Sequence, residues 1–564
     1  MVAFTLIPFL LVAVSPLSSW GAPAAATINA NALKGTLQFP PINYGLLCSL
    51  PIIDVLCARV SSSATRVTTP LGVAQGTADL SGASRFAVKY ASAARWATST
   101  VATKWQLPNG STNVSALPLA CPQPGVDAST YSEDCLSMIL YVPTTLNALS
   151  GVSTLVWIHG GSFNAGSASG PGLDGSKLAI ATNSIVAVIQ YRLGALGFMA
   201  PDGSTNLAVK DTINAINFLA KVVPSFGGKA SKITLAGQSS GAGMIRALLA
   251  TPSASSLFQS AILQSDPVNY GFLNVSTQVL LQSSFNDLTG CAATDKACQK
   301  ALSLDTILNA QVSLTNDASD IDPSTGVAEP IRPVRDGALI TTPLDLTAPF
   351  PAVSKPILIS TVKNEAGFTI YNNFPAVIGN SLFAPVCDVS LGAERTAIVQ
   401  NSSFYNLTGV GDTRVPLETL GTDYVWRCPN WSLARSWVAH GGHAFVGEYV
   451  VGATYPGNDA IPFCTEAGSV CHQDDIEIVF GTVPSPNAAQ AALTVEMQAR
   501  YRAFLTTGSP NAAGLSVWSA ATSTNVHPHQ LGGAPTPSGE VPVGACTPAF
   551  WGTAVDYDYQ VFGI

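Results

Sequence analysis

The segment Gly237-Gln238-Ser239-Ser240-Gly241 constrains this chain more than any other. It follows the apolar run Ile233-Thr234-Leu235-Ala236 and precedes Met244-Ile245-Arg246-Ala247-Leu248-Leu249. That order reads as strand, tight turn, helix. A serine at the tip of such a turn projects its hydroxyl above a parallel sheet. The flanking glycines are required because a Cβ there would collide with the neighbouring strand and helix. Ser239 is therefore a candidate nucleophile for acyl chemistry. The rest of the chain must supply a base, an acid that orients it, and donors for the developing negative charge.

The surroundings suit such a turn. Ser137-Met138-Ile139-Leu140-Tyr141-Val142, Thr154-Leu155-Val156-Trp157-Ile158-His159 and Ser184-Ile185-Val186-Ala187-Val188-Ile189-Gln190-Tyr191 read as strands, and residues 211–221 as a helix. Strands apolar on both faces belong inside a parallel sheet covered by helices. Pro356-Ile357-Leu358-Ile359-Ser360 and His443-Ala444-Phe445-Val446-Gly447-Glu448-Tyr449-Val450 read as its far side. The expected fold is α/β, with a large, mostly parallel central sheet, helices on both faces and long insertions.

Candidates for the remaining parts lie in chain order around Ser239. His159-Gly160-Gly161-Ser162-Phe163 is a small-residue turn after a strand, able to point backbone N–H groups into the site. The N–H of Ser240 supplies a further oxyanion donor. Glu365 leaves the strand ending near Ile359, in Asn364-Glu365-Ala366-Gly367. The base must come from six histidines: His159, His440, His443, His472, His527 and His529. His472 follows Cys471, and a Cys464–Cys471 disulfide would stiffen its loop. The order Ser, Glu, His differs from that of chymotrypsin and of subtilisin.

Residues 4–14 form an apolar run too short for a membrane span, followed by small residues. They read as a signal peptide over residues 1–22, leaving one domain over 23–564. Hydrophobic residues are 47% and charged residues 11%, enough for a large core and too apolar for disorder. The net charge is −8 with scattered basic residues, which argues against nucleic acid as a partner. No later stretch is long enough for stable membrane insertion. Six sequons, at Asn109, Asn113, Asn274, Asn401, Asn406 and Asn430, agree with secretion, Asn430 being the doubtful one. So do eleven cysteines, with Cys48 and Cys57, Cys291 and Cys298, Cys464 and Cys471, and Cys121 and Cys135 as candidate pairs. Cys387, Cys428 and Cys546 stay unassigned. No Cys-x-x-Cys or His-x-x-x-His spacing suggests a metal site, and no cofactor is expected.

Taken together, these segments resemble the type-B carboxylesterase/lipase family of α/β-hydrolases, which includes cholinesterases and secreted fungal esterases. The resemblance runs through most of the mature chain. Ser132-Glu133-Asp134-Cys135-Leu136, the His159 turn, Tyr191-Arg192-Leu193-Gly194-Ala195-Leu196-Gly197-Phe198 and Asn206-Leu207-Ala208-Val209-Lys210-Asp211 carry its first half. Phe226-Gly227-Gly228, Ala261-Ile262-Leu263-Gln264-Ser265, Asn364-Glu365-Ala366-Gly367 and Cys471-His472 carry the second. The resemblance implies a Ser239, Glu365, His472 triad and an oxyanion hole of Gly161, Ser162 and Ser240. Three positions depart. Ser162 replaces a third glycine linked to bulky tertiary-alcohol esters. Gln238 replaces a glutamate that helps cationic substrates, which argues against choline esters. Lys229 replaces an aspartate after Phe226-Gly227-Gly228.

In the family's lipases the loop closed by the first disulfide is a long apolar lid. Here residues 122–134 form a short loop, polar at Ser129, Ser132, Glu133 and Asp134. The expectation is a secreted serine esterase acting on short to medium, aromatic or isoprenoid esters, with a small-molecule ester as its partner. A lipase or sterol esterase is the alternative within the class. A non-catalytic binding module is the alternative outside it.

Overall fold

The structure, a computed structural model, describes residues 65–78, 81–326, 328–344 and 350–551. The expected signal peptide and the Cys48, Cys57 pair lie outside the described residues. The main sheet contains β1 (Thr77–Ala78), β2 (Ala83–Lys89), β3 (Ser137–Pro143), β4 (Val152–Ile158) and β5 (Ile185–Ile189). It continues with β6 (Gly228–Gln238), β7 (Ser260–Gln264), β8 (Ile357–Val362), β9 (Ala444–Tyr449) and β10 (His529–Leu531). The order across the sheet is β10, β9, β8, β7, β6, β4, β5, β3, β2, β1. Every neighbouring pair from β10 to β5 is parallel, and every pair from β5 to β1 is antiparallel. This is the mostly parallel sheet expected of the α/β pattern. The edge strands β1 and β10, and β2 beside β1, carried no clear apolar run and were not anticipated.

Alternation along the strands explains the layers. In β5, Ile185, Ala187 and Ile189 enter one core, while Val186 and Val188 enter the other. The helices Leu207–Val222 and Ser240–Leu249 cover the first face. The helices Ser176–Thr182 and Ala488–Thr507 cover the second, through Leu178, Leu493, Met497 and Tyr501. Helices cover both faces, so β5, β7, β8 and β9 are buried at every position.

Disulfides join Cys121 to Cys135, Cys291 to Cys298 and Cys464 to Cys471, as the sequence spacing suggested. A further disulfide joins Cys428 to Cys546, two of the cysteines left unassigned, and ties the helix Cys428–Ala439 to the C-terminal region. Cys387 is a buried free thiol. Asp423 lies within ligand range of Cys428 and Cys546, but their sulfurs are committed to the disulfide. One sequon is corrected. Asn430 is fully buried, and its Nδ2 donates to the carbonyls of Asp266 at 2.7 Å and Trp426 at 2.8 Å. That amide is unavailable to a glycan in the folded chain. Asn113, Asn401 and Asn406 are exposed, and Asn109 and Asn274 are half-buried. Among the described residues no helix is long and apolar enough to cross a membrane.

Candidate active site

β6 ends at Gln238 and the helix Ser240–Leu249 starts one residue beyond Ser239. Ser239 itself holds φ 59° and ψ −131°, a conformation that side chains other than glycine rarely adopt. Its N–H donates to the Gln264 carbonyl at 2.9 Å, and its carbonyl accepts from Gly243 at 3.0 Å. The flanking glycines are needed for contact with β4. A methyl on Gly237 would lie 2.7 Å from the Ile158 carbonyl oxygen, and one on Gly241 would strike the Ile158 and His159 backbone. The strand–turn–helix reading of the sequence is thus built as a strained elbow.

Opposite the elbow runs the turn after β4. Its closeness is set by Gly160, where a methyl would lie 2.9 Å from the Ser239 Cβ. Gly161 and Ser162 have φ of 116° and 52°. Asn164 and Ala165 both donate to the Gly161 carbonyl at 2.9 Å and close the turn. The N–H groups of Gly161, Ser162 and Ser240 make no hydrogen bond among the described residues. His159 stays outside the chemistry. It is buried, stacked on Tyr191, and burial drops its pKa to about 4. It holds the turn through its own ring N–H to the Gly160 carbonyl at 2.9 Å.

The structure brings His472 and Glu365 against this elbow. His472 Nδ1 lies 2.5 Å from Glu365 Oε2, and Glu365 Oε1 accepts from the Val362 N–H at 2.9 Å. Gln238 Nε2 donates to His472 Nε2 at 3.1 Å. An amide nitrogen can only donate, so these two bonds place the imidazole proton on Nδ1 and the lone pair on Nε2. Gln238 holds the Nε2 position that the resemblance assigns to Ser239. Burial disfavours the imidazolium, but Glu365, by charge and hydrogen bond, more than offsets it. The His472 pKa is raised above the ordinary 6.5, with smaller contributions from Asp475 and Glu329.

Several residues around this pair escaped the sequence reading. Asp474 accepts from the N–H of Cys471 at 2.7 Å, the N–H of Tyr455 at 2.8 Å and Asn458 Nδ2 at 2.8 Å. Asn458 also donates to the His472 carbonyl at 2.8 Å. Asp475 accepts from Gln264 Nε2 at 2.5 Å. The Trp426 ring sits 5.4 Å from the His472 ring. Glu329 is buried, and its charge adds to the rise in the His472 pKa. The adjacent Asp474-Asp475 pair was visible beside His472, but an acidic pair on a loop looks like solvated charge until its burial is known. Glu329 lies in a segment without periodicity and carried no signal. The other histidines do not join the site: His440 bonds the Ser436 carbonyl, His527 pairs with Glu540, and His529 meets Arg500.

A strained serine elbow at the end of a parallel strand, under a His–Glu pair, defines an α/β-hydrolase. A model of the carboxylesterase family matches residues 63–538, and the chain belongs to that family of carboxylic-ester hydrolases. It is 30% identical to Crystal protein of Dictyostelium discoideum over 362 residues, 63% of this chain and 64% of that protein. It is 27% identical to Carboxylesterase 5A of Felis catus over 423 residues, 69% of this chain and 73% of that protein. A solved PNB esterase shares the fold with a TM-score of 0.69 and 23% identity, covering 83% of this chain and 96% of that one.

Proposed function

We propose that the protein is a secreted serine esterase that works through an acyl-enzyme, with Ser239 as nucleophile, His472 as base and Glu365 as the orienting acid. The observation that carries this reading is the strained Ser239 facing donors that have no other partner among the described residues, beside an imidazole whose proton is on Nδ1 and whose Nε2 lone pair accepts from Gln238. His472 takes the Ser239 proton as the oxygen attacks the ester carbonyl. Glu365 holds the Nδ1 proton and stabilises the imidazolium. The Gly161, Ser162 and Ser240 amides receive the oxyanion, and His472 then protonates the leaving alcohol. Water attacks the acyl-enzyme by the same steps and releases the acid. Gln238 must yield Nε2 to Ser239 during this cycle, since catalytic hydrogen bonds tighten on substrate binding.

The short loop 122–134 favours an esterase over a lipase. Glu133 is paired with Arg95 at 2.5 Å and Asp134 with Lys89 at 2.6 Å, so the loop is pinned at its C-terminal end. Such a loop is ill suited to sweep across a lipid groove. The described disulfides agree with an oxidising compartment.

Hydrolysis of p-nitrophenyl esters from acetate to palmitate tests the reading. Activity peaking at short to medium chains, and reduced at least about 10³-fold in Ser239→Ala, is expected. A peak at long chains would favour a lipase. No hydrolysis of any ester by the folded wild type would leave a binding module as the better account.

A further inference from the structure

Two glutamines end neighbouring strands in register. Gln238 closes β6, Gln264 closes β7, and the two are paired across the parallel ladder. Both are fully buried. Gln238 reaches the imidazole, whereas Gln264 reaches a different point of the histidine loop. Its Nε2 donates to Asp475 Oδ2 at 2.5 Å, and its Oε1 accepts from the Tyr501 hydroxyl at 2.9 Å. The reverse orientation of the amide would set its oxygen against a carboxylate. The Gln264 backbone carbonyl accepts the Ser239 N–H at 2.9 Å. One residue thus holds the nucleophile's own amide through its backbone and the histidine loop through its side chain.

The turn between His472 and Asp475 is tight. The N–H of Asp474 donates to the Cys471 carbonyl at 3.0 Å, and the N–H of Ile476 donates to the Gln473 carbonyl at 3.0 Å. A hold on Asp475 is therefore passed to His472. Asp475 is fully buried, and its Oδ1 has no hydrogen-bond partner among the described residues, so Gln264 is the side chain that makes its carboxylate tolerable there. A buried carboxylate that loses its donor gives up its charge by taking a proton. Burial already raises Asp475 to about 6, and the Gln264 bond opposes that rise. The charge in turn supports the imidazolium of His472, together with Glu365 and Glu329. The titrating groups that face Asp475 are His472, Glu365 and Asp474. Tyr449 and Tyr501 are kept neutral by burial.

We infer that Gln264 is a positioning residue for ester hydrolysis, tying the nucleophile elbow to the histidine loop through Asp475 so that His472 stays within reach of Ser239. This rests on the Ser239, His472, Glu365 reading and deepens it. Gln264 is buried away from the substrate, so its effect falls on the chemical step and not on substrate binding. It also gives the two glutamines separate tasks. Gln238 occupies the lone pair of the base in the free protein, and Gln264 fixes the loop that carries the base.

The test measures kcat and KM for p-nitrophenyl butanoate against pH in wild type, Gln264→Met and Gln264→Glu. Methionine keeps the length and loses both side-chain bonds. It is expected to cut kcat at least about tenfold at unchanged KM, the effect of a small displacement of the base. It should also move the midpoint of kcat/KM to lower pH, because Asp475 takes a proton and no longer supports the imidazolium. A protonated glutamate keeps both bonds: its O–H donates to Asp475, and its other oxygen accepts from Tyr501. The two acids then share one proton and carry the single charge that Asp475 carries in wild type. Gln264→Glu should therefore recover most of kcat and leave the midpoint at or above that of wild type. A merely structural role would lower kcat in both variants and move neither midpoint. An unmoved midpoint in Gln264→Met, or equal losses of kcat in the two variants, would overturn the proposal. Should Gln264→Met fail to fold, Asp475→Asn takes its place, and an unmoved midpoint there overturns the proposal equally. Fluorophosphonate labelling separates the two levels of the argument. Wild type that folds but does not label at Ser239 refutes the serine esterase itself, whereas normal labelling with an unmoved midpoint refutes only the role of Gln264.

Discussion

At the elbow, Ser239 is held by backbone packed so closely that no methyl group fits at Gly237 or Gly241. None of the five residues of the turn titrates. At the histidine loop, His472 is held by a disulfide one residue away and by buried carboxylates. Asp474 receives three hydrogen bonds from the loop and its neighbours, Asp475 is tied to Gln264, and Glu365 meets the imidazole directly. Burial raises Asp474 to about 7 and Asp475 to about 6. The nucleophile is thus fixed by shape and the base by polar bonds. The first arrangement is indifferent to pH, and the second is set by it.

The largest effect should come from breaking the polar side. Glu365→Gln is nearly isosteric but lets the amide present a donor to Nδ1, which favours the wrong tautomer. A drop of about 10⁴-fold in kcat is expected. Glu365 also raises the His472 pKa, and the base must be neutral to act. Activity in wild type should therefore rise with pH through a midpoint above 6.5. Without the carboxylate that midpoint should move to lower pH. A pH–rate profile of kcat/KM checks both, and an unmoved midpoint would remove Glu365 from the acid's role.

Stability should separate the two regions next. Gly241→Ala forces a Cβ into the Ile158 and His159 backbone, which side-chain movement cannot relieve. A loss above about 3 kcal/mol in urea unfolding is expected, within the range of overpacking combined with backbone strain. Removing the Cys464–Cys471 bridge by the double serine variant frees a short loop, with a sequence separation of 7. The expected loss is roughly 2 kcal/mol. In that variant the fluorophosphonate should still label Ser239, more slowly because His472 has lost its tether. An equal loss in both variants would mean that the loop, too, is held mainly by packing.

The same contrast explains what could be read from the chain alone. The elbow is local: five consecutive residues, a strand before and a helix after, and the glycines that the collision demands. Its geometry follows from adjacent residues, so Ser239 and Ser240 were legible, as were the turn glycines and the central strands. His472 and Glu365 were legible as residues through chain order and resemblance, but their setting was not. Asp474, Glu418 and Glu448 are acidic residues whose meaning depends on burial by segments far away in sequence. Glu329 sits where no periodicity marks an element, and nothing local distinguishes it from a loop acid. The Cys428–Cys546 bridge spans a separation of 118, beyond what neighbouring spacings suggest. Asn430 reads as a sequon because three residues suffice for the motif, while its burial depends on Asp266, a distant residue.

The smallest effect asked for is a change of slope rather than a loss. Glu418 accepts from Thr422 Oγ1 at 2.9 Å and Asn364 Nδ2 at 3.3 Å, next to Glu365 in the chain. Burial raises it from 4.5 to about 7, with Asp423 adding repulsion and Arg427 opposing it, and Glu448 is raised to about 7 in the same way. A raised carboxyl binds its proton in the folded chain at pH values where the unfolded chain has released it. The stability it contributes is complete below about 4.5 and is lost as pH rises through about 7. The wild-type unfolding free energy should therefore fall between about pH 5 and pH 8. Glu418→Gln keeps the shape and removes that proton. The fall should shrink by up to about 3 kcal/mol, the linkage equivalent of the full shift. Urea unfolding at the two pH values measures it. Parallel curves for wild type and variant would show that Glu418 is ionised throughout. The wall behind Glu365 would then be held by its cationic neighbour Arg427, and the base would be less dependent on pH than the comparison with the elbow requires.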